Sequence, residues 1–264
     1  MARRLRRYRR WMGFEVTPEV YFRFMGRFSE PLAARFAAAL DLPAGATALD
    51  VGCGPGALTA QLVARLGVDA VSAVDPSESF VAAARERFPG LRVTTGVAGS
   101  LPLADDAVDL TTAQLVVHFL PDPVAGLTEM ARVTRPGGVV AANVWDHAGN
   151  GGPLDAFWRA AHDLDPAAPG EAARPGTREG HLAELVAAAG LQDVASWSEA
   201  VGARYESVDE WWATFTLGVG PAGAYVASLG DAERDALRAR CAELLPPAPF
   251  EIPAVAWCAR GSVA

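Results

Sequence analysis

A doubly wound α/β fold on a mostly parallel, seven-stranded sheet is predicted by three observations. Apolar, strand-like runs alternate with helical patterns from about residue 47 onward, which calls for parallel strands with helices on both faces. Between the first run and the first helix stand three alternating glycines, Gly52, Gly54 and Gly56. Asp75 stands nineteen residues after Gly56, closing the second apolar run. Strand, glycine turn and helix in that order make a ligand loop. Glycine permits conformations that a Cβ forbids, and the N–H groups opening a helix have no intrahelical partner.

The elements follow in order. Residues 47–51 read as strand 1, and Leu58, Leu62 and Leu66 put one apolar face on the helix Ala57–Leu66. Residues 70–74 are strand 2, followed by a helix carrying Phe80, Ala84 and Phe88. Pro89-Gly90 stops it, and 91–95 is strand 3. Residues 109–113 are strand 4, and Val124, Leu127 and Ala131 mark the next helix. Pro136-Gly137-Gly138 turns into strand 5 at 139–145.

Ahead of this core, residues 1–12 form an arginine-rich tail, and 13–264 are expected to form a single domain. A helical prelude opens that domain. Tyr21 to Phe28 is aromatic and basic together, Ser29 is placed to cap a helix with Pro31 in its first turn, and Leu32, Phe36 and Leu40 give it a buried stripe.

The core, 41–145, is expected to bind a cofactor. Residues 146–220 are expected to form a helical cap over the substrate, since 146–180 is rich in Gly, Pro and Ala at the carboxyl end of a strand. Helices are expected around 154–164 and 181–189, and a sixth strand at 191–198. Ser207 caps a helix holding Trp211, Trp212 and Phe215, and Asp231 caps another with Leu237, Cys241 and Leu244 inward. The last helix and strand occupy 221–264, with strand 7 at 250–259.

Composition narrows the function. Of 264 residues 51% are apolar, enough for a sizeable core. The net charge is −8, yet residues 1–10 hold six arginines and no acid, leaving −14 on the remaining 254. An acidic body argues against broad nucleic-acid binding, although the tail could serve as an RNA-binding arm. Cys53, Cys241 and Cys258 are odd in number and far apart, so they indicate neither a disulfide framework nor a zinc site. No apolar stretch reaches spanning length and no apolar signal core follows the arginines, so a cytoplasmic protein without a membrane partner is expected.

The loop Asp50-Val51-Gly52-Cys53-Gly54-Pro55-Gly56 has the spacing D-x-G-x-G-x-G, one residue tighter than the dinucleotide G-x-G-x-x-G. It resembles the first motif of class I S-adenosylmethionine-dependent methyltransferases. Two further stretches agree. Gly96 to Asp106 looks like the G-D-A-x-x-L-P-F-x-D stretch of small-molecule methyltransferases, and Arg132-Val133-Thr134-Arg135-Pro136-Gly137-Gly138 resembles their R-V-L-K-P-G-G turn. The bland alternative is a generic Rossmann-like turn with a capping aspartate.

The resemblance implies S-adenosylmethionine as cofactor and assigns roles. Gly52, Cys53 and Gly54 would pack by main chain against its methionine part, with Gly56 completing the loop. Asp50 would lie near the ammonium, Gln114 would offer that ammonium its carbonyl, and Asp75 would bind the ribose. Arg27 could pair with the carboxylate, or be a plain surface arginine. Val97 departs from the family's acid, so the adenine would be held at Ala98 and by packing from Pro76 and Leu101.

The sulfonium methyl is already electrophilic, so orientation is the main requirement. Where an acceptor must lose a proton, His118 and His147 are the candidate bases; each could instead be structural. No carboxylate cluster at strands 4 and 5 suggests a metal. A small organic acceptor is expected in an aromatic pocket drawn from Trp145, Phe157, Trp158, Trp197, Trp211, Trp212 and Phe215. A regulator that binds the cofactor without turnover, an RNA methyltransferase using the tail, and an NAD-dependent dehydrogenase are the rival functions.

Overall fold

The computed structural model describes residues 16–264; the arginine-rich tail, 1–12, lies outside the described residues. The strands are β1 (Ala48–Val51), β2 (Val71–Asp75), β3 (Arg92–Thr95), β4 (Val108–Gln114), β5 (Thr134–Trp145), β6 (Gln192–Tyr205) and β7 (Phe250–Ser262). They form one sheet in the order β3-β2-β1-β4-β5-β7-β6. β1 to β5 run parallel, and β7 lies antiparallel between β5 and β6. This is the mostly parallel seven-stranded sheet that the alternation predicts. Strand order reverses between β1 and β4, which opens a crevice at the carboxyl ends of the strands.

Both faces of the sheet are covered. Helices α1 (Pro18–Tyr21, a π turn at Phe22–Gly26, then Arg27–Ala39), α2 (Ala57–Leu66) and α3 (Glu78–Arg87) pack on one face through Phe36, Leu58, Leu62 and Val81. On the other, α4 (Pro123–Val133) and α6 (His181–Ala188) bury Leu127, Met130, Leu182 and Val186. Asp122 caps α4, its carboxylate accepting from Ala125 N–H at 2.9 Å.

Several boundaries differ from expectation. Ser29 does not cap a helix: α1 passes through it, and Ser29 is buried mid-helix. Phe24, Phe28, Leu32 and Phe36 recur every four residues and are all buried, and this stripe carries the helix across Pro31. β6 extends seven residues beyond 198 because β7 pairs with it as far as Tyr205–Phe250. β5 begins at Thr134 and absorbs the Pro136-Gly137-Gly138 turn, with a register shift against β4 between Val108 and Leu110.

The chain after β5 builds a second apolar cluster against α1 and the β6–β7 pair. It contains α5 (Asp155–Leu164), α7 (Val208–Phe215), α8 (Gly220–Ser228) and α9 (Asp231–Leu244). Ser207 caps α7, accepting from Glu210 N–H at 3.1 Å. Gly230, not Asp231, caps α9: the Glu233 carboxylate accepts the Gly230 N–H, and Asp231 is the first helical residue. The Gly- and Ala-rich helix α8 carries no periodic signal that would announce it.

Candidate functional site

β1 delivers the glycine loop into the crevice. Gly52 has φ +70°, and a Cβ there would sit 2.4 Å from Val116 Cγ2, so only glycine lets the loop approach the segment after β4. Gly54 has φ +54° and donates its N–H to Asp75 Oδ2 at 2.8 Å. The other oxygen of Asp75 accepts from Ser77 N–H, also at 2.8 Å. Asp75 is thus the knot joining the loops after β1 and β2.

The crevice encloses a cavity of about 1110 Å³, at or above the upper end of drug-sized pockets, roughly 300–1,000 Å³. Six of the sequence-predicted cofactor residues border it: Gly52, Gly54, Asp75, Pro76, Ala98 and Gln114. Gln114 donates Nε2–H to the Ser29 carbonyl at 3.0 Å, while its Oε1 is buried without a protein partner.

The remaining four lie off the wall. Asp50 is buried behind the loop, accepting from the Thr59 hydroxyl at 2.6 Å, and burial pushes its carboxyl up to about 7. Cys53 is buried, and burial holds its thiol well above the usual range. Gly56 starts α2 against Phe88. Arg27 faces away: it pairs with Glu210 at 2.5 Å, donates to the Arg204 carbonyl at 2.9 Å, and lies over the Tyr205 ring. Its face of α1 meets β6 and α7, which answers the charge on the spot. Leu101 likewise turns into the core rather than the cavity.

The far half of the cavity differs in chemistry. Phe24, Met25, Phe119, Trp145 and Leu154 supply apolar wall, and Val16 and Thr17, just ahead of α1, line the cavity together with Tyr21. The expected aromatic pocket is therefore mostly misassigned. Of its seven residues only Trp145 borders the cavity. Inside the second cluster Phe157 stacks on Phe215 with centroids 4.5 Å apart and Trp211 meets Phe215 at a tilt, while Trp197 stacks on Phe36. Helical spacing of aromatics marked a core stripe here.

His118, on the 3₁₀ turn Val117–Phe119, and His147, just past β5, both reach this half, as does Glu171 from the loop between α5 and α6. Nitrogen and carboxylate donor atoms of the three lie within 4.8 Å of one another. Burial holds both imidazoles below their ordinary range, strongly so for His118; Glu171 partly offsets this at His147. Glu171 Oε2 accepts from the Trp158 indole at 3.1 Å, and Oε1 lies 3.7 Å from Arg174 Nε. Thr177 ties this loop, donating to the Ala172 and Arg174 carbonyls and accepting, at its own carbonyl, the N–H of Ala148. Sequence reasoning missed Glu171: a lone acid in a Gly/Pro/Ala stretch has no pattern to mark it.

Residues 49–142 match the family model described as "Methyltransferase domain". A relative from Mycobacterium ulcerans, named an uncharacterized methyltransferase, is 34% identical over 228 residues, covering 71% of this chain and 83% of its own. The chain belongs to the class I S-adenosylmethionine-dependent methyltransferases. A trans-aconitate 2-methyltransferase of Methylobacterium nodulans is 35% identical over 127 residues, covering 48% of each chain. The chain thus spans about half or less of the length of the first curated relatives it matches. A solved S-adenosylmethionine-dependent methyltransferase of Thermotoga maritima shares the fold of this methyltransferase, with a TM-score of 0.55 at 18% identity, covering 93% of this chain and 94% of that one. None of its described helices is long and apolar enough to cross a membrane.

Proposed function

We propose that this methyltransferase methylates a small organic acceptor seated beside His118, His147 and Glu171, with S-adenosylmethionine in the glycine-lined half of the same cavity. The observation that carries the reading is the division of one cavity into two unlike halves. One half offers glycine backbone, a carboxylate and an orphaned amide oxygen; the other offers apolar walls and a titratable cluster.

The first half suits the cofactor. Gln114 Oε1, buried and unpartnered, is an acceptor for an ammonium group, a contact the sequence reading had given to the backbone carbonyl. The Asp75 carboxylate, held by the Gly54 and Ser77 N–H groups at the cavity wall, is placed to accept the ribose hydroxyls. Pro76, Val97 and Ala98 offer a flat apolar face for adenine. Asp50, Cys53 and Gly56 shape the loop from behind. The bound cofactor supplies the electrophilic methyl; the chain's own work is to hold the acceptor in line, exclude water and draw off a proton at the His118–His147 end.

Among the described residues no arginine borders the cavity, which favours an apolar or aromatic acceptor over a polycarboxylate such as trans-aconitate. Calorimetry tests the cofactor assignment. S-adenosylhomocysteine should bind with a dissociation constant on the order of micromolar and NAD should give no heat. Binding of NAD alone would replace the methyltransferase reading with a dehydrogenase.

A further inference from the structure

We infer that His118, His147 and Glu171 form a site for one divalent transition-metal ion, zinc or a close neighbour, at the acceptor end of the cavity. The inference rests on the reading of that end as the acceptor chamber. It specifies how the two histidines act on the acceptor's proton: as metal ligands rather than as free bases.

Two imidazoles and one carboxylate are a donor set for zinc, iron, cobalt or nickel; magnesium and calcium take oxygen ligands. The three come from separate segments, a turn after β4, the end of β5 and the α5–α6 loop, and their donor atoms lie within 4.8 Å of one another. A tetrahedral zinc with bonds of about 2.0–2.1 Å spaces its ligands about 3.3 Å apart, so side-chain rotations that draw the donor atoms together by up to about 1.5 Å close the site.

The hydrogen bonding favours ligation over a base dyad. Neither imidazole makes a hydrogen bond to any described residue, and His118 Nδ1 is buried with no partner. In a histidine–carboxylate dyad a ring N–H would donate to Glu171, and none does. Buried polar atoms are normally satisfied, so an unpartnered His118 Nδ1 in a ring grouped with His147 and a buried carboxylate points to a missing common partner. Glu171 itself is only 3% exposed, and the Trp158 indole fixes one of its oxygens, as outer donors orient metal-binding carboxylates.

Three protein ligands leave the remaining positions open to the cavity, where a hydroxyl or carboxylate oxygen of the acceptor can bind. A hydroxyl bound there gives its proton to water more readily, because the metal–oxygen bond stabilises the anion left behind. Arg174 is the counter-argument and also the control. Its guanidinium lies against Phe119, with Nε 3.7 Å from Glu171 Oε1, too far for a hydrogen bond, and it answers the buried carboxylate when no cation is present. It must therefore compete with a metal.

The test titrates the metal-stripped, full-length protein with Co²⁺, read by its visible absorption bands, and with Zn²⁺ in competition. One equivalent should bind. His118→Ala and Glu171→Gln should each weaken binding by about a hundredfold or more, and Arg174→Gln should tighten it several-fold. Melting temperature and S-adenosylhomocysteine affinity report that each variant is folded. No stoichiometric binding, or binding equal in wild type and both ligand variants, overturns the metal site. Intact S-adenosylhomocysteine binding without Co²⁺ binding removes the metal site alone; Co²⁺ binding without a response to S-adenosylhomocysteine removes the cofactor reading and leaves the metal site standing.

Discussion

The Gly54 N–H donates to Asp75 Oδ2 at 2.8 Å, so the glycine loop after β1 is held in place by the residue that closes β2. A buried carboxylate accepting two backbone N–H groups is fixed by both loops, and it borders the cavity. Loop shape, and with it the proposed cofactor binding, therefore depends on one side chain.

Asp75→Ala should weaken S-adenosylhomocysteine binding by about 1.5–3 kcal/mol, roughly tenfold to more than a hundredfold, the scale of hydrogen bonds to a charged acceptor. It should also lower the melting temperature, because Gly54 and Ser77 lose their acceptor. Calorimetry and a thermal melt read both effects. Unchanged affinity in the folded variant would remove Asp75 from the cofactor site.

Gly52→Ala meets two penalties at once. The left-handed backbone costs a non-glycine residue about 1–2 kcal/mol, and the new methyl would collide with Val116. Pairing it with Val116→Ala should restore the part due to collision and leave the backbone part. A double-mutant cycle in urea measures the difference. Strict additivity of the two substitutions would contradict the close approach.

Asp50 makes stability depend on pH. Its folded-state pKa, near 7, exceeds the unfolded value of about 3.9, so the folded chain holds this proton more tightly. The contribution is complete below about pH 4 and is lost as pH rises to about 7, at up to about 1.4 kcal/mol per pH unit. Asp50→Asn cannot lose that proton. The cofactor-free variant should hold its urea midpoint between pH 5 and pH 8 better than the wild type does. Identical pH profiles would show that Asp50 ionises freely.

The core was legible because its signals are local. The glycine loop, Asp75 and α2 fall where spacing alone puts them, since turn chemistry and a 3.6-residue period need no knowledge of the fold. The proposed acceptor end was only half legible. His118 and His147 stand near strand ends, where the sequence singles them out as candidates, and both line the cavity. Glu171 was not, because it reaches them through a loop whose course is set by Thr177 and by the contact with Ala148. Arg27 and the aromatics other than Trp145 lie off the cavity for the opposite reason. Their chemistry suits a ligand, but Glu210 and the stacked rings of the second cluster lie nearer.

Arg27→Ala distinguishes those two views of the arginine. With its charge answered by Glu210 and Tyr205, S-adenosylhomocysteine affinity should stay within about twofold of the wild type. A tenfold loss measured by calorimetry would return Arg27 to the cofactor's carboxylate.

Methyl transfer from labelled S-adenosylmethionine into a fractionated cell extract tests the central claim most directly. The account predicts label in the small-molecule fraction, little changed when residues 1–10 are deleted and little affected by salt. Label confined to RNA, lost with those residues and falling steeply with salt, would contradict it, as would cofactor binding with no transfer into any fraction.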